Sequence, residues 1–438
     1  MGTTRTRRAV TLAAVTALGI GLLGGCADDG DDGGSASSGK DGKKVITIGV
    51  FGVFGYKQAG LYDEYEKLNP GVTIKETSIE RSDQYYTQLL THLGAGSGLQ
   101  DIQAVEVGNI AETTALHGDK FVDLGKEKGV NTGDFLDWKL AQGTTEDGRV
   151  IGLGTDIGPM AVCYRKDLFE KAGLPTDRDE VGKLWAGDWE KYIDTGRKYM
   201  EKAPSGTVFT DSAGGVYNGA ISGSPERYYD ADGELIYEDS PAVKASWDLA
   251  MEAVKGKMTA KLKQFDKSWD QAYANGRFAS VVCPPWMLGY IKEKAGEKAA
   301  DKWDVAQAPQ PANWGGSFLS VPEAAKNKKE AIKLATWLTA PEQQAKLFAK
   351  QGSFPSSQAA YELPEVKDAK HEYFDNAPIG QIFVEAAENA PTLLLGAKDQ
   401  PIQTAIVDVG VLQVEQQGKS PAEGWSAALK NIENLLDK

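Results

Sequence analysis

The chain has 438 residues, 41% of them hydrophobic, and its 13 Phe, 10 Trp and 16 Tyr exclude a chain that is disordered throughout. A formal charge of -14 repels phosphate backbones and argues against nucleic-acid binding. The one long apolar stretch, Ala9 to Gly25, excludes a multi-span membrane protein. Three scattered histidines (His92, His117, His371), with no HExxH or paired CxxC, leave no metal signature.

Residues 1–25 combine a basic start (Arg5, Arg7, Arg8), an apolar core from Ala9 to Leu23 and a small-residue end, the pattern of an export signal. The end, Leu23-Gly24-Gly25-Cys26, resembles a bacterial lipobox. That resemblance implies cleavage before Cys26, a diacylglyceryl group on its sulfur and a further acyl chain. Together these would hold the protein on the outer face of the cell membrane. A membrane anchor or an ordinary secretory signal is the alternative, and the Arg7-Arg8 pair leaves the export route open between Sec and twin-arginine. Loss of residues 1–25 removes three arginines and no acid, moving the charge from -14 to -17. Residues 26–44 are rich in Gly, Asp and Ser, and read as a flexible tether of roughly 20–25 Å.

Val45 to Phe51 reads as a strand, followed by a helix carrying Leu61, Tyr62, Tyr65 and Leu68 and closed by Asn69-Pro70-Gly71. Val72 to Glu76 alternates as a second strand. Ser82 or Asp83 caps a helix through His92, stopped by Gly94, Gly96 and Gly98, and Ile102 to Val107 makes a third strand. This β-α-β-α-β order predicts parallel pairing in an α/β sheet. A second such region follows: a strand Met160–Tyr164, a helix Lys166–Ala172, a helix from Ala242 to Lys255, Trp269–Asn275, a strand Ala279–Cys283, and helices Lys329–Leu338 and onward to Lys350. Two α/β lobes are expected.

Four stretches, in order, resemble the maltose-binding-like extracellular solute receptors of sugar ABC importers. They are Glu64 to Gly71; Asp156 to Pro175; Asn275-Gly276-Arg277-Phe278-Ala279 with Pro285-Trp286; and Ala308-Pro309, Gly315-Gly316-Ser317 and Lys329 to Gln343. More narrowly, the whole is similar to the cellobiose and cello-oligosaccharide receptors of filamentous Gram-positive bacteria. The resemblance implies a two-lobed type II binding-protein fold, α/β with mostly parallel sheets flanked by helices and a hinge between the lobes. It implies lobe crossings near 156–162, 305–309 and 352–358, with an amino-terminal lobe of 45–157 plus 309–353 and a carboxy-terminal lobe of 158–308 plus 354–438. It also implies a monomer that delivers its sugar to a two-subunit permease with a cytoplasmic ATPase, and neither catalysis nor a cofactor.

A glucosyl ring offers apolar C–H faces and a belt of hydroxyls, so its site needs aromatic platforms beside carboxylates, amides and Arg. The resemblance places such groups at Trp286, after Pro284-Pro285, at Asp156 at the first crossing, and at Asp211. Trp314 sits beside Gly315 and Gly316, which permit close backbone approach. Glu106 and Asn109 follow the third strand, at the edge where open α/β sheets bind ligands. Phe54 and Tyr56 follow the first strand, Glu80 and Arg81 the second, and Trp269 lies four residues before Tyr273. Each has a structural alternative: core packing for the aromatics, a helix cap for Asn109, a surface ion pair for Glu80 and Arg81. Trp247, Trp337 and Trp425 are assigned to cores and Trp303 to a strand start. The chain lacks the maltose receptors' tryptophan in the third strand and an acidic pair after the first, which favours a β-linked glucan fragment over maltodextrin. Cys163 and Cys283 are expected to be buried free thiols. A receptor for another solute, or a secreted glycosidase built on paired carboxyls, remains as the alternative class.

Overall fold

The computed structural model describes residues 42–436, so the lipobox, Cys26 and most of the tether lie outside the described residues. Among the described residues nine strands build two sheets. The first contains β1 (Lys44–Phe51), β2 (Val72–Ile79), β3 (Ile102–Glu106), β4 (Leu153–Pro159) and β9 (Asn313–Ser320), in the order β2-β1-β3-β9-β4. The second contains β5 (Ala161–Arg165), β6 (Val208–Thr210), β7 (Phe278–Cys283) and β8 (Trp303–Gln307), in the order β6-β7-β5-β8.

The alternation of Ile46, Ile48 and Val50 puts their side chains on one face of β1, where they join Ile102, Ala104, Leu319 and Leu347 in a single core. Parallel pairing holds where the β-α-β pattern is continuous, β1 with β2 and β3, and for β6 with β7. Strands that arrive from the other sheet run antiparallel: β9 lies between β3 and β4, and β5 between β7 and β8. The sheets are therefore mixed. Only Met160 separates β4 from β5, and residues 308–312 separate β8 from β9, so the chain passes twice between sheets through very short segments.

The second sheet is buried on both faces. Val162, Tyr164 and Val282 pack with Trp185, Tyr192 and Phe209 on one side. Cys163, Val281, Cys283 and Val305 pack with Trp269, Tyr273 and Trp303 on the other. The expectation of two free thiols fails here. Cys163 pairs in register with Val281 and Ala161 with Cys283, so the two cysteines are diagonal neighbours on one face. Their Cα atoms stand 5.7 Å apart and the sulfurs are bonded, well within disulfide reach. Trp247 meets Trp425 edge to face, Trp337 packs at a tilt against Tyr65, and Trp303 is fully buried, which makes all four packing residues. Among the described residues no helix is long and apolar enough to cross a membrane.

Candidate functional site

The carboxyl ends of β1, β2 and β3 open into a cleft of about 1450 Å³ whose other wall comes from segments attached to the second sheet. Its floor is set by strand register. Ser317 on β9 is the partner of Glu106 on β3 and also of Asp156 on β4, so the two carboxylates flank one serine. Glu106 caps the helix Val107–His117 by accepting from the Gly108 amide at 2.9 Å, and Asp156 accepts from the Thr155 hydroxyl at 2.7 Å. Burial pushes both carboxyls upward, Glu106 to about 7.

The aromatic wall is assembled from both sides. Trp286 lies in the first turn of the helix Pro285–Ala295 and donates from Nε1 to the Trp314 carbonyl at 3.3 Å; the two rings meet edge to face at 5.7 Å. This approach requires the glycine pair. Gly315 has φ 106°, and a Cβ there would stand 2.9 Å from Trp286 Nε1. Gly316 has φ 111°, and a Cβ there would stand 2.6 Å from the Asp156 carbonyl oxygen. Phe265 lies at 6.2 Å from the Trp286 ring with only 30° between planes, and it is 51% exposed.

Ten of the thirteen sequence-predicted residues line this one cleft: Trp286, Trp314, Gly315, Gly316, Asp156, Glu106, Asn109, Phe54, Glu80 and Arg81. Arg81 pairs with Asp83 at 2.9 Å, and Glu106, rather than Asn109, is the helix cap. Three residues lie outside the lining. Tyr56 is fully buried against Phe54 and Tyr62. Asp211 and Trp269 are buried behind the wall, where the indole donates to the carboxylate at 2.8 Å. Asp211 also accepts from Gln264 at 2.8 Å, and Gln264 does line the cleft. The two thus support the wall from behind.

Sequence reasoning missed several lining residues. Phe265 and Gln264 sit in a segment with left-handed backbone at Lys257, Lys261 and Phe265, and no glycine occurs between 257 and 265 to announce it. Arg227 is 6% exposed, paired with Asp399, and its Nε has no hydrogen-bond partner among the described residues. Its charge reaches Glu106 across the cleft. Asn218 accepts from Gln403 at 2.8 Å, and Asp408 pairs with Lys263 at 2.9 Å from the π-helical stretch Ala405–Val411. The walls touch at Gly108, where a Cβ would stand 2.1 Å from the Gln400 side-chain oxygen. A dipeptide such as Ser-Pro before Glu226-Arg227 signals a turn, and nothing more in the sequence points to these positions.

Acidic and basic lining residues interleave, and among the described residues no cluster of His, Cys, Asp and Glu could hold a metal ion. Such an arrangement can stack a flat apolar face and hydrogen-bond its polar rim.

Residues 60–374 match the family of bacterial extracellular solute-binding proteins. A lactose-binding protein of Rhizobium radiobacter is 24% identical over 358 residues, 78% of this chain and 82% of that one. An arabinooligosaccharide-binding protein of Bacillus subtilis is 24% identical over 326 residues, 71% of this chain and 72% of that one. The crystal structure of a family 1 extracellular solute-binding protein superposes with a TM-score of 0.80 at 40% identity, covering 89% of this chain and 99% of the other. With the match extending over well more than half its length, this chain belongs to the bacterial extracellular solute-binding proteins and is a binding protein, not an enzyme.

Proposed function

We propose that the protein is the substrate-binding component of an ABC importer that captures cellobiose or cello-oligosaccharides in its cleft and hands them to a two-subunit permease. The observation that carries this reading is the apposition of Trp286, Trp314 and Phe265 to Asp156, Glu106 and Arg227 in one cavity. Flat aromatic faces suit the axial C–H surface of a β-linked glucan, and the carboxylates and guanidinium suit its equatorial hydroxyls. The near-cancellation of charge along the lining supports a neutral ligand. The volume of about 1450 Å³ exceeds the usual range for small-molecule pockets and supports more than two sugar rings. Lactose, the ligand in the name of the Rhizobium relative, shares a β1,4 linkage to glucose with cellobiose.

In this reading the ligand contacts both walls, and closure is favoured by its differential affinity for the closed form. The amino-terminal lobe is 45–157 plus 309–353, the carboxy-terminal lobe 158–308 plus 354–438, and Cys26 carries the lipid that holds the receptor at the cell surface. Ligand recovered by mass spectrometry from protein purified from cells grown on cellulose breakdown products tests the reading. Hexose oligomers of two or more units are expected; recovery of a peptide, a polyol or a phosphate ester instead would overturn it.

A further inference from the structure

Beneath the cleft floor lies a cation that the binding reading does not use. Lys139, in the helix Asp137–Gln142, is completely buried. Its stem passes over Gly154, where a Cβ would stand 3.0 Å from the lysine Cγ. The ammonium ends 3.6 Å from the centre of the Phe318 ring and 3.0 Å from where a Cβ on Gly316 would project. Two glycines therefore clear the path that brings this charge up against β9. Among the described residues Nζ has no hydrogen-bond partner.

An enclosed ammonium needs opposite charge nearby. The groups that supply it are Asp156 first and Glu106 second, the two carboxylates that flank Ser317. Burial pulls Lys139 down to about 7, and the attraction of those carboxylates works against that pull. In return Lys139 opposes the upward shift of both acids. Glu106 also faces the Gly108 amide, Asp156 and Arg227, and Asp156 also faces the Thr155 hydroxyl and the Ser317 amide.

We propose that Lys139 is the counter-ion of the cleft floor, a positioning residue that keeps Asp156 and Glu106 available as hydroxyl-accepting carboxylates without touching the ligand itself. Removing its charge should leave the acids protonated to higher pH, and a carboxyl that holds its proton accepts fewer hydroxyl hydrogen bonds. Ligand affinity should then fall off at a higher pH than in the wild type.

The first arm of the test needs no ligand. In the full-length protein carrying 13Cε-lysine, the resonance missing from Lys139→Met identifies Lys139; where that variant does not fold, Lys139→Arg removes the same signal. Its titration is then compared between wild type and Asp156→Asn. We expect the midpoint to fall by one pH unit or more in Asp156→Asn, and an unchanged midpoint would overturn the proposal. The second arm rests on the sugar reading of the cleft. Cellotriose should bind folded Lys139→Met at least tenfold more weakly at pH 7, with the acid-side fall in affinity moved upward. Wild-type affinity with a wild-type pH profile would overturn it. Should no sugar bind either protein, the sugar reading fails while the lysine titration still decides the role of Lys139.

Discussion

Phe265 offers the sharpest separation of binding from folding. Its backbone has φ 66°, in the left-handed region, which costs a residue with a side chain about 1–2 kcal/mol. Its ring is 51% exposed and faces the cleft. Phe265→Gly relieves that strain, loses about 0.5–1 kcal/mol to glycine's greater freedom in the unfolded chain, and gives up the ring's packing on Trp269 at 5.0 Å. These terms nearly cancel, so stability in urea should stay within about 1 kcal/mol of wild type. Phe265→Ala keeps the strain and loses the ring, so it should be less stable than Phe265→Gly by about 1 kcal/mol. Binding should respond differently. A ligand covering on the order of 50 Å² of the exposed face gains about 1.2 kcal/mol from burial, and ring stacking extends this to about 1–2 kcal/mol. Both variants should therefore bind cello-oligosaccharide roughly 5–30-fold more weakly by calorimetry, and Phe265→Tyr should restore affinity. A Phe265→Gly protein that binds within twofold of wild type would refute the platform; one less stable than Phe265→Ala would refute the strain.

Two further expectations concern the scaffold. Cys163 and Cys283 are separated by 120 residues, and closing so long a loop stabilises by about 4–5 kcal/mol in the chain-entropy account. Replacing both by Ala should lower the urea-unfolding free energy by about 2–5 kcal/mol, while the denatured, unreduced wild type should offer neither thiol to a thiol reagent. Glu415 is buried, accepts from the Ala213 amide at 2.9 Å, and is pushed up to about 7 chiefly by burial. Between the ordinary glutamate range and pH 7 the folded protein holds a proton that the unfolded chain has released. Stability should accordingly fall as pH rises through that window, by at most about 3 kcal/mol. Glu415→Gln should flatten the dependence between pH 4.5 and 7 in urea titrations; an unchanged slope would assign it to other groups.

Much of the fold is legible in the residues themselves. Ile46-Thr47-Ile48-Gly49-Val50 alternates, Gly96 ends a helix that runs through Gly94 to Ala95, and Pro285 opens one, so the elements of the first β-α-β-α-β run and the strand at Phe278–Cys283 emerge directly. Three strands escape: β6 is only three residues long, while β4 and β9 read Leu-Gly-Thr-Asp-Ile-Gly-Pro and Asn-Trp-Gly-Gly-Ser-Phe-Leu-Ser. The glycines of β4 and β9 weaken the strand pattern because they serve close packing and the cleft floor, and β4 is interrupted by register shifts. The site divides in the same way. Glu106 could be found because it ends the third strand, at the edge where an α/β sheet binds, and Asp156 and Trp286 because the family resemblance marks their positions. Trp269 and Asp211 are of the right chemical kind, but only tertiary packing reveals that they stand one layer behind. Lys139, Arg227 and Phe265 carry no local signal, since a lysine in a short helix and a phenylalanine in a loop are ordinary until the chain closes around them.

Titration of the purified protein with cellobiose, cellotriose, lactose, maltose and an arabino-oligosaccharide, read by intrinsic tryptophan fluorescence, meets the central claim most directly. A saturable change at micromolar cellobiose or cellotriose, lost in Trp286→Ala, with maltose at least tenfold weaker, is the predicted result. A protein whose fluorescence no β-linked glucan fragment alters, or whose response survives in Trp286→Ala, would contradict the account.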